Sequence, residues 1–358
     1  MTKEAEIETL RRQIDEIDAD LLALLNRRVR LAQAVGRKKA KGEDKVVYRP
    51  EREALILDRI VKLNKGPLTS EKIEWLFREV ISLCRAAEAK PLVAALGPAG
   101  TYSELAAVRH FGHEVDVTLA ASIDEVFRLT EADTTQYAVV PVENSTEGGV
   151  GNTLDRLLNT PLTICGEIDF RVRHCLLGLS GTVAPKAVSA HQQALAQCRL
   201  WLDLNLPGVD LVSVRSNAEA ARQAAGDADC VAIASEEAAD AYGLTVLHRN
   251  IEDQPGNSTR FLVLGHRRVE RTGTDKTSVA ISVRNRPGAL QALLAPLSEN
   301  DIDMTRVESR PSSTGLWEYI FFIDFAGHVG EPAVARALAE IEEQAAMFKI
   351  LGSYPKSS

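Results

Sequence analysis

The chain is poor in several residue types. Of its 358 residues only 5% are aromatic, with three Trp and three Met. Its five cysteines, Cys84, Cys165, Cys175, Cys198 and Cys230, include no CxxC pair, and an odd count cannot complete a disulfide framework. That fits a reducing compartment. No apolar run reaches the ~18–20 residues of a membrane span. The opening MTKEAEIETLRRQ is charged and lacks the apolar core of a secretory signal. A cytoplasmic protein without a membrane partner is expected. No GxGxxG occurs, so a dinucleotide fingerprint is absent, and neither a cofactor nor a metal ion is expected. There is also no excess of positive charge: 42 Lys+Arg against 50 Asp+Glu leave a net charge of -8, which disfavours nucleic acid as a partner.

What is present is an ordinary globular composition, 45% hydrophobic and 26% charged, at a length suited to two or three domains. The charge is unevenly spread. Residues 1–90 carry 20 Lys+Arg against 16 Asp+Glu, and residues 91–358 carry 22 against 34. A basic front piece on an acidic body suggests two fused functions.

The front piece reads as all-helical. Ile7, Leu10, Ile14, Ile17, Leu21, Leu24, Arg28, Leu31 and Val35 recur at alternating spacings of 3 and 4, a seam on one helix of about 35 residues and roughly 50 Å. So long a seam cannot be buried inside a piece this small, which implies a partner chain. Lys41–Lys45 reads as a break. A second helix is expected over Glu51–Asn64 and a third to about Ala89, with Ser70 in its N-cap region. Arg28 sits on the seam, where a charge is costly unless an anion meets it. Lys39 faces within about 20° of Arg28. Arg11 lies ~25 Å back along the axis and about 100° around, so only two antiparallel copies could bring Arg11 and Arg28 to one small molecule. Phe77, Ile81, Cys84 and Glu88 form a stripe that ends in a carboxyl group.

LRRQIDEIDADLLALLNRR, AVGRKK and YRPERE together resemble the all-helical chorismate mutase domain, a dimer with an intersubunit site. The resemblance implies that Arg28, Lys39 and, from the second chain, Arg11 hold the carboxylates of chorismate. It also implies that Lys39 faces the ether oxygen, that Arg52 adds a cation and that Glu53 takes the ring hydroxyl. Arg49 stands where many members carry an acidic residue, Cys84 where Ser occurs, and Glu88 where Gln is common opposite the ether oxygen.

Residues 91–266 alternate short apolar runs with helical stretches, an α/β pattern. Expected strands are Leu92–Leu96, Tyr137–Val142, Leu162–Cys165, Cys175–Leu179, Ala187–Ala190, Cys230–Ala234 and Arg260–Leu264. Expected helices are Ser122–Thr130, Gln192–Leu202 and Ala218–Ala225. Three segments carry polar groups at strand ends, where open α/β sheets place ligands: GPAGTYSE (Gly97–Glu104), PVENSTEGGVGN (Pro141–Asn152) and NSTRF (Asn257–Phe261). HQQALAQC opens a helix bearing Gln193 and Gln197. Together they resemble prephenate dehydratase, with a periplasmic-binding-protein-like fold of two lobes and a cleft. The resemblance implies that Thr259 is the essential hydroxyl at the leaving group, with Glu143, Asn144 and Gln197 as further active-site residues and Thr101, Ser103 and Arg260 as ligand contacts. Thr259 is too weak an acid to act alone, so a proton relay from Glu143 is expected.

His266–Lys276 reads as a charged linker. Residues 277–355 follow a β-α-β-β-α-β order, an α+β ferredoxin-like sandwich. NRPGAL (Asn285–Leu290) places Gly288 at a helix start, and ESRP (Glu308–Pro311) ends a strand. These resemble the ACT regulatory domain. The resemblance implies L-phenylalanine bound between paired domains, by Gly288, Ala289, Leu290, Glu308, Ser309 and Arg310, with Asp303–Arg306 and Trp317–Phe322 nearby. The joint expectation is a multidomain chain, 1–90, 91–266 and 277–355, forming a homodimer or higher homo-oligomer. It would turn chorismate into prephenate and prephenate into phenylpyruvate under phenylalanine feedback. A mutase–dehydrogenase would need the missing nucleotide fingerprint. A binding-protein-like sensor that had lost catalysis would not need Glu143-Asn144 and Thr259-Arg260.

Overall fold

The structure, a computed structural model, describes residues 3–39, 47–182, 184–283, 286–311 and 319–357. The expected break at Lys41–Lys45, Asn285 and Trp317 lie outside them. The chain divides into two compact units, Met1–Pro91 with Phe111–Asp116, and Leu92–His110 with Val117–Ser358.

The first unit is helical. Helix α1 (Lys3–Lys39) runs 37 residues, with Glu4 and Glu6 in its first turn and Arg37, Lys38 and Lys39 in its last, charges that oppose its dipole. It buries no residue, and Leu10, Ile14, Ile17, Leu24 and Leu31 are each more than half exposed. Helix α2 (Pro50–Leu63) begins on a proline already set for a first turn. Helix α3 (Ser70–Ala86) is capped by Thr69, whose hydroxyl accepts from Lys72 N, so the cap lies one residue before the expected Ser70. It also stops earlier than expected, which leaves Glu88 just beyond the helix. Tyr48, Leu57, Ile73, Ile81 and Cys84 form the buried interior.

The second unit opens with β1 (Leu92–Leu96), α4 (Tyr102–Phe111), β2 (Asp116–Ala120), α5 (Ile123–Glu131), β3 (Tyr137–Asn144), β4 (Gly148–Gly149), α6 (Gly151–Asn159) and β5 (Thr163–Arg171). The chain then builds β6 (Cys175–Gly178), β7 (Ala187–His191), α7 (Gln192–Gln197), α8 (Arg199–Asn205), β8 (Asp210–Val214), α9 (Asn217–Ala224), β9 (Cys230–Ala234), α10 (Glu236–Tyr242) and β10 (Thr245–His248), and returns through β11 (Ser258–Gly265). Two sheets result, in the orders β2-β1-β3-β11-β5 and β10-β6-β9-β7-β8, with β4 paired to β3. This is the expected two-lobed α/β arrangement. The edge strands β2, β8 and β10 are partly exposed and lack the long apolar runs of the central strands, so the sequence pattern does not reveal them. The helix expected over Gln192–Leu202 is interrupted at Cys198, where Asp253 accepts from Leu200 N and Trp201 N and starts α8 afresh.

The last elements are β12 (Asp275–Val283), α11 (Ala289–Glu299), β13 (Met304–Pro311), β14 (Tyr319–Ala326), α12 (Pro332–Gln344) and β15 (Met347–Pro355). Their sheet order is β13-β14-β12-β15, with antiparallel pairing throughout. Strand alternation divides its residues. Val279, Ile281, Ile323 and Phe325 pack on α11 and α12. Ala280, Ile320, Phe322 and Tyr354 join one core with Val140, Leu154, Ile164 and Leu264 of the first lobe. Close approach depends on Gly352, where a Cβ would lie 2.3 Å from Ile164 O. The charged linker is tied down too: Val269 is buried, and its carbonyl accepts from His328 Nε2 at 3.0 Å.

Candidate functional sites

In the helical unit, Lys39 Nζ lies 3.0 Å from Glu88 Oε1, with both side chains largely buried. Gly36, one turn before Lys39, makes room: a Cβ there would stand 2.6 Å from Glu88 Cγ. Arg28 Nη1 donates to Val80 O at 3.1 Å, and Cys84 is buried. Glu53 is held by Arg85, a buried guanidinium that also donates to Phe111 O and lies over the Tyr48 ring at 5.3 Å. Arg85 was not among the expected site residues, because a basic residue late in a helix reads as ordinary dipole compensation. Arg49 lies 3.8 Å from Glu51 and Arg52 is exposed. Arg11 is exposed beside Glu8 on the first half of α1, so one chain does not bring it to Arg28 and Lys39.

In the second unit, the ends of β3 and β11 and the start of α7 converge. Register places Asn144 opposite Thr259, and Asn144 Nδ2 donates to Thr259 Oγ1 at 2.9 Å. The same amide lies 3.0 Å from Asn257 Oδ1. Asn144 Oδ1 accepts from Thr146 Oγ1 at 2.6 Å, from Thr146 N, and from Gln193 Nε2 at 3.2 Å. Gln197 Nε2 donates to Thr146 Oγ1 at 2.9 Å, while Gln197 Oε1 accepts from Asn257 Nδ2 at 3.0 Å. Two glutamines of α7 thus bridge from the second lobe to the β3 turn of the first. Because Thr259 accepts from Asn144, its own O–H remains available, and among the described residues none accepts it.

Behind Gln197 stands His174, which the sequence reading missed because a lone histidine in a loop carries no signal. Its Nε2 lies 2.8 Å from Gln197 Oε1, which as a carbonyl must accept, so Nε2 carries the proton. His174 is buried, and its Nδ1 meets no partner among the described residues. Burial holds its pKa below the ordinary value, against the opposing pull of Gln197 and Glu252.

Two expected contacts go elsewhere. Glu143 and Arg260 form the adjacent rung and face the opposite side of the sheet from Asn144 and Thr259. Glu143 Oε2 lies 2.6 Å from Arg306 Nε, so no direct relay from Glu143 to Thr259 is formed. The Arg260 guanidinium is committed to Glu167 at 2.9 Å, Asp324 at 2.5 Å and Tyr354 Oη at 3.0 Å, which withdraws it from the cluster as a ligand contact. Glu167 and Asp324 each interrupt an apolar strand run, a signal that could have marked them. Thr101 serves the backbone, donating to Leu96 O at 2.7 Å and accepting from Glu104 N, and Ser103 is buried.

In the last region, Gly288 at φ 78° starts α11, a conformation that suits glycine. Gly288, Ala289 and Leu290 line a cavity of about 210 Å³ with Arg286, Tyr319 and Phe321. Glu308 and Arg310 do not reach it. Added Cβ atoms at Gly149 and Gly151 would strike Glu308 and Arg310, so those side chains rest against the β4–α6 turn. The two halves of the expected effector site are therefore not joined within one chain.

Comparison with known proteins agrees with this division. Family models match in order: Chorismate mutase type II over residues 10–89, Prephenate dehydratase over 93–269 and ACT domain over 277–343. A bifunctional chorismate mutase/prephenate dehydratase of Pseudomonas aeruginosa is 48% identical over 363 aligned residues, covering 100% of both chains. The crystal structure of a prephenate dehydratase from Arthrobacter aurescens in complex with L-Phe is 34% identical with a TM-score of 0.69, covering 74% of this chain and 89% of that one. A structure named GqqA, described as a novel type of quorum quenching acylase, is 32% identical with a TM-score of 0.68, covering 74% of this chain and 98% of that one. With full-length identity to the first and all three family regions in the same order, this chain belongs to the bifunctional chorismate mutase/prephenate dehydratase family.

Proposed function

We propose that residues 1–90, 91–266 and 277–355 act as mutase, dehydratase and effector sensor of one cytoplasmic enzyme. The dehydratase reading rests on the Asn144–Thr259 pair and the glutamines that reach it. Prephenate loses its ring hydroxyl and its ring carboxylate. The C–C bond to the carboxylate breaks, its electrons aromatise the ring, and hydroxide leaves with one proton as water, giving phenylpyruvate and CO2. Thr259, held as an acceptor by Asn144, donates a hydrogen bond to the departing hydroxyl, a solvent molecule in the cleft supplies the proton that completes the leaving water, and Gln193 and Gln197 fix the Asn144 end of the cluster. The donors stay fixed through the reaction, so little reorganisation accompanies charge development. Thr101 and Ser103 belong to the turn beside this lobe and shape the cleft rather than transfer protons. Glu143 acts through the position of β3.

For the mutase, Arg28, Lys39, Arg52, Glu53, Cys84 and Glu88 supply one chain's part of the chorismate site, with the neighbouring Arg49. Arg11 comes from a second copy whose α1 covers the exposed seam, so the enzyme is a homodimer or a higher homo-oligomer. The rearrangement needs no nucleophile. It is served by holding the compact conformer and by a donor at the breaking C–O bond, here Lys39, which Glu88 holds in place. L-Phenylalanine occupies the cavity at Gly288, Ala289 and Leu290, completed across a pair of these domains by Glu308, Ser309 and Arg310 of the other copy, and lowers dehydratase activity.

One assay tests the whole reading: chorismate without added nucleotide, following prephenate and then phenylpyruvate, with and without L-phenylalanine. Both products, the second suppressed by the amino acid, are expected. Prephenate alone would sink the dehydratase assignment, and absence of both would leave only a sensor.

A further inference from the structure

The rung of the ladder next to Asn144–Thr259 is Glu143–Arg260, and it faces the sheet formed by β12–β15. There it meets another rung. Arg306 of β13 and Asp324 of β14 are themselves register partners. Glu143 lies 2.6 Å from Arg306, and Arg260 lies 2.5 Å from Asp324. Two rungs of two sheets are thus joined by two ion pairs of opposite sense. The Arg260 and Asp324 side chains are 11% and 5% exposed, so solvent screens that pair weakly, whereas in the other pair Arg306 is 12% and Glu143 36% exposed. Lys276 and Tyr354 add further contacts to Glu167 and Arg260.

Arg306 has a second engagement. It pairs with Glu308, two residues along the same face of β13, and Arg310, two further on, lies 3.8 Å from Asp155 of α6. The residues of β13 that alternate toward the dehydratase are therefore 306, 308 and 310.

We propose that Arg306 is a positioning residue for the dehydratase. It clamps the Glu143–Arg260 rung and thereby sets the placement of Asn144 and Thr259, the next residues along the same two strands. Because its guanidinium also holds Glu308, a shift of β13 is carried directly to that rung. The inference rests on the reading of Asn144–Thr259 as the dehydratase cluster and of L-phenylalanine as the effector.

The test uses the full chain and four variants: Arg306→Gln, Arg306→Lys, Glu143→Gln, and the double variant Glu143→Gln/Arg306→Met, which removes both charges of the Glu143–Arg306 pair and leaves Glu308, 24% exposed, without Arg306. Dehydratase kcat and KM are measured with and without L-phenylalanine, and melting follows folding. Arg306→Gln should lower kcat about tenfold or more with KM changed less than about threefold, and should blunt the response to L-phenylalanine. Arg306→Lys, which keeps the charge without the fork, should recover part of both. The double variant should be no worse than the poorer single variant, since the two residues act as a unit. Additive losses, or a folded double variant with normal kcat and a normal phenylalanine response, would overturn the proposal. Failure of the underlying reading looks different: Thr259→Ala would then keep dehydratase activity, or wild-type enzyme would ignore L-phenylalanine, whatever Arg306 does.

Discussion

Asn144 Nδ2 donates to Thr259 Oγ1 at 2.9 Å across directly opposed positions of β3 and β11. The bond fixes the hydroxyl as an acceptor on one side and leaves its proton to be given on the other. Residues 115 apart in sequence are thus joined by one hydrogen bond.

Replacing either partner should uncouple the two activities. Thr259→Ala is expected to reduce dehydratase kcat by about 10²-fold or more, in the range for a lost proton-handling group, and Asn144→Ala should approach the same loss. Mutase activity of the same preparations should stay at the wild-type level. Coupled assays on chorismate and on prephenate read both; loss of mutase together with dehydratase would contradict two separate sites.

The mutase should respond to the donor capacity of residue 88. A carboxylate cannot donate to an ether oxygen, so Glu88→Gln, a permanent donor, should raise mutase kcat several-fold. Gly36→Ala tests the same contact sterically, since its Cβ would displace Glu88. It should lower mutase activity at every pH while leaving dehydratase untouched. Unchanged mutase kcat in Glu88→Gln would remove that residue from the chemistry.

Complementation between chains offers a sharper check on the mutase site. Arg11→Ala and Arg28→Ala should each be nearly inactive. If Arg11 serves the neighbouring copy's Arg28, random mixing yields heterodimers with one intact site, and about a quarter of wild-type mutase activity should return. No recovery after verified subunit exchange would place both residues in a single chain's site.

His174 should make stability pH-dependent. Its folded pKa lies below the ordinary 6.5 because burial removes the solvent that would stabilise the charged ring. As pH falls below 6.5 the unfolded chain binds that proton first, so stability is full above this value and declines down to the lowered folded pKa. His174→Gln, which keeps a donor for Gln197, should weaken the slope of melting temperature against pH between about 5 and 7. An identical slope in the variant would assign the dependence to another group.

Much of the architecture was written locally. The seam of α1, the apolar central strands and the polar segments at Gly97–Glu104, Pro141–Asn152 and Asn257–Phe261 are runs of neighbouring residues whose periodicity or chemistry needs no partner to be read. Asn144, Gln197 and Thr259 were candidates from such segments, and the fold does bring them together.

What those segments touch was decided only in three dimensions. Strand alternation sends Thr259 and Arg260, adjacent in sequence, to opposite faces, so one enters the polar cluster and the other the ion pairs with Glu167 and Asp324. Glu143 likewise meets Arg306 rather than Thr259. A buried charge is stable only where a counter-charge arrives, and which charge arrives depends on register and sheet packing across more than a hundred residues of intervening chain. The amino-acid order determined the elements and the kinds of chemistry they carry. Register and packing determined which of those groups share a site.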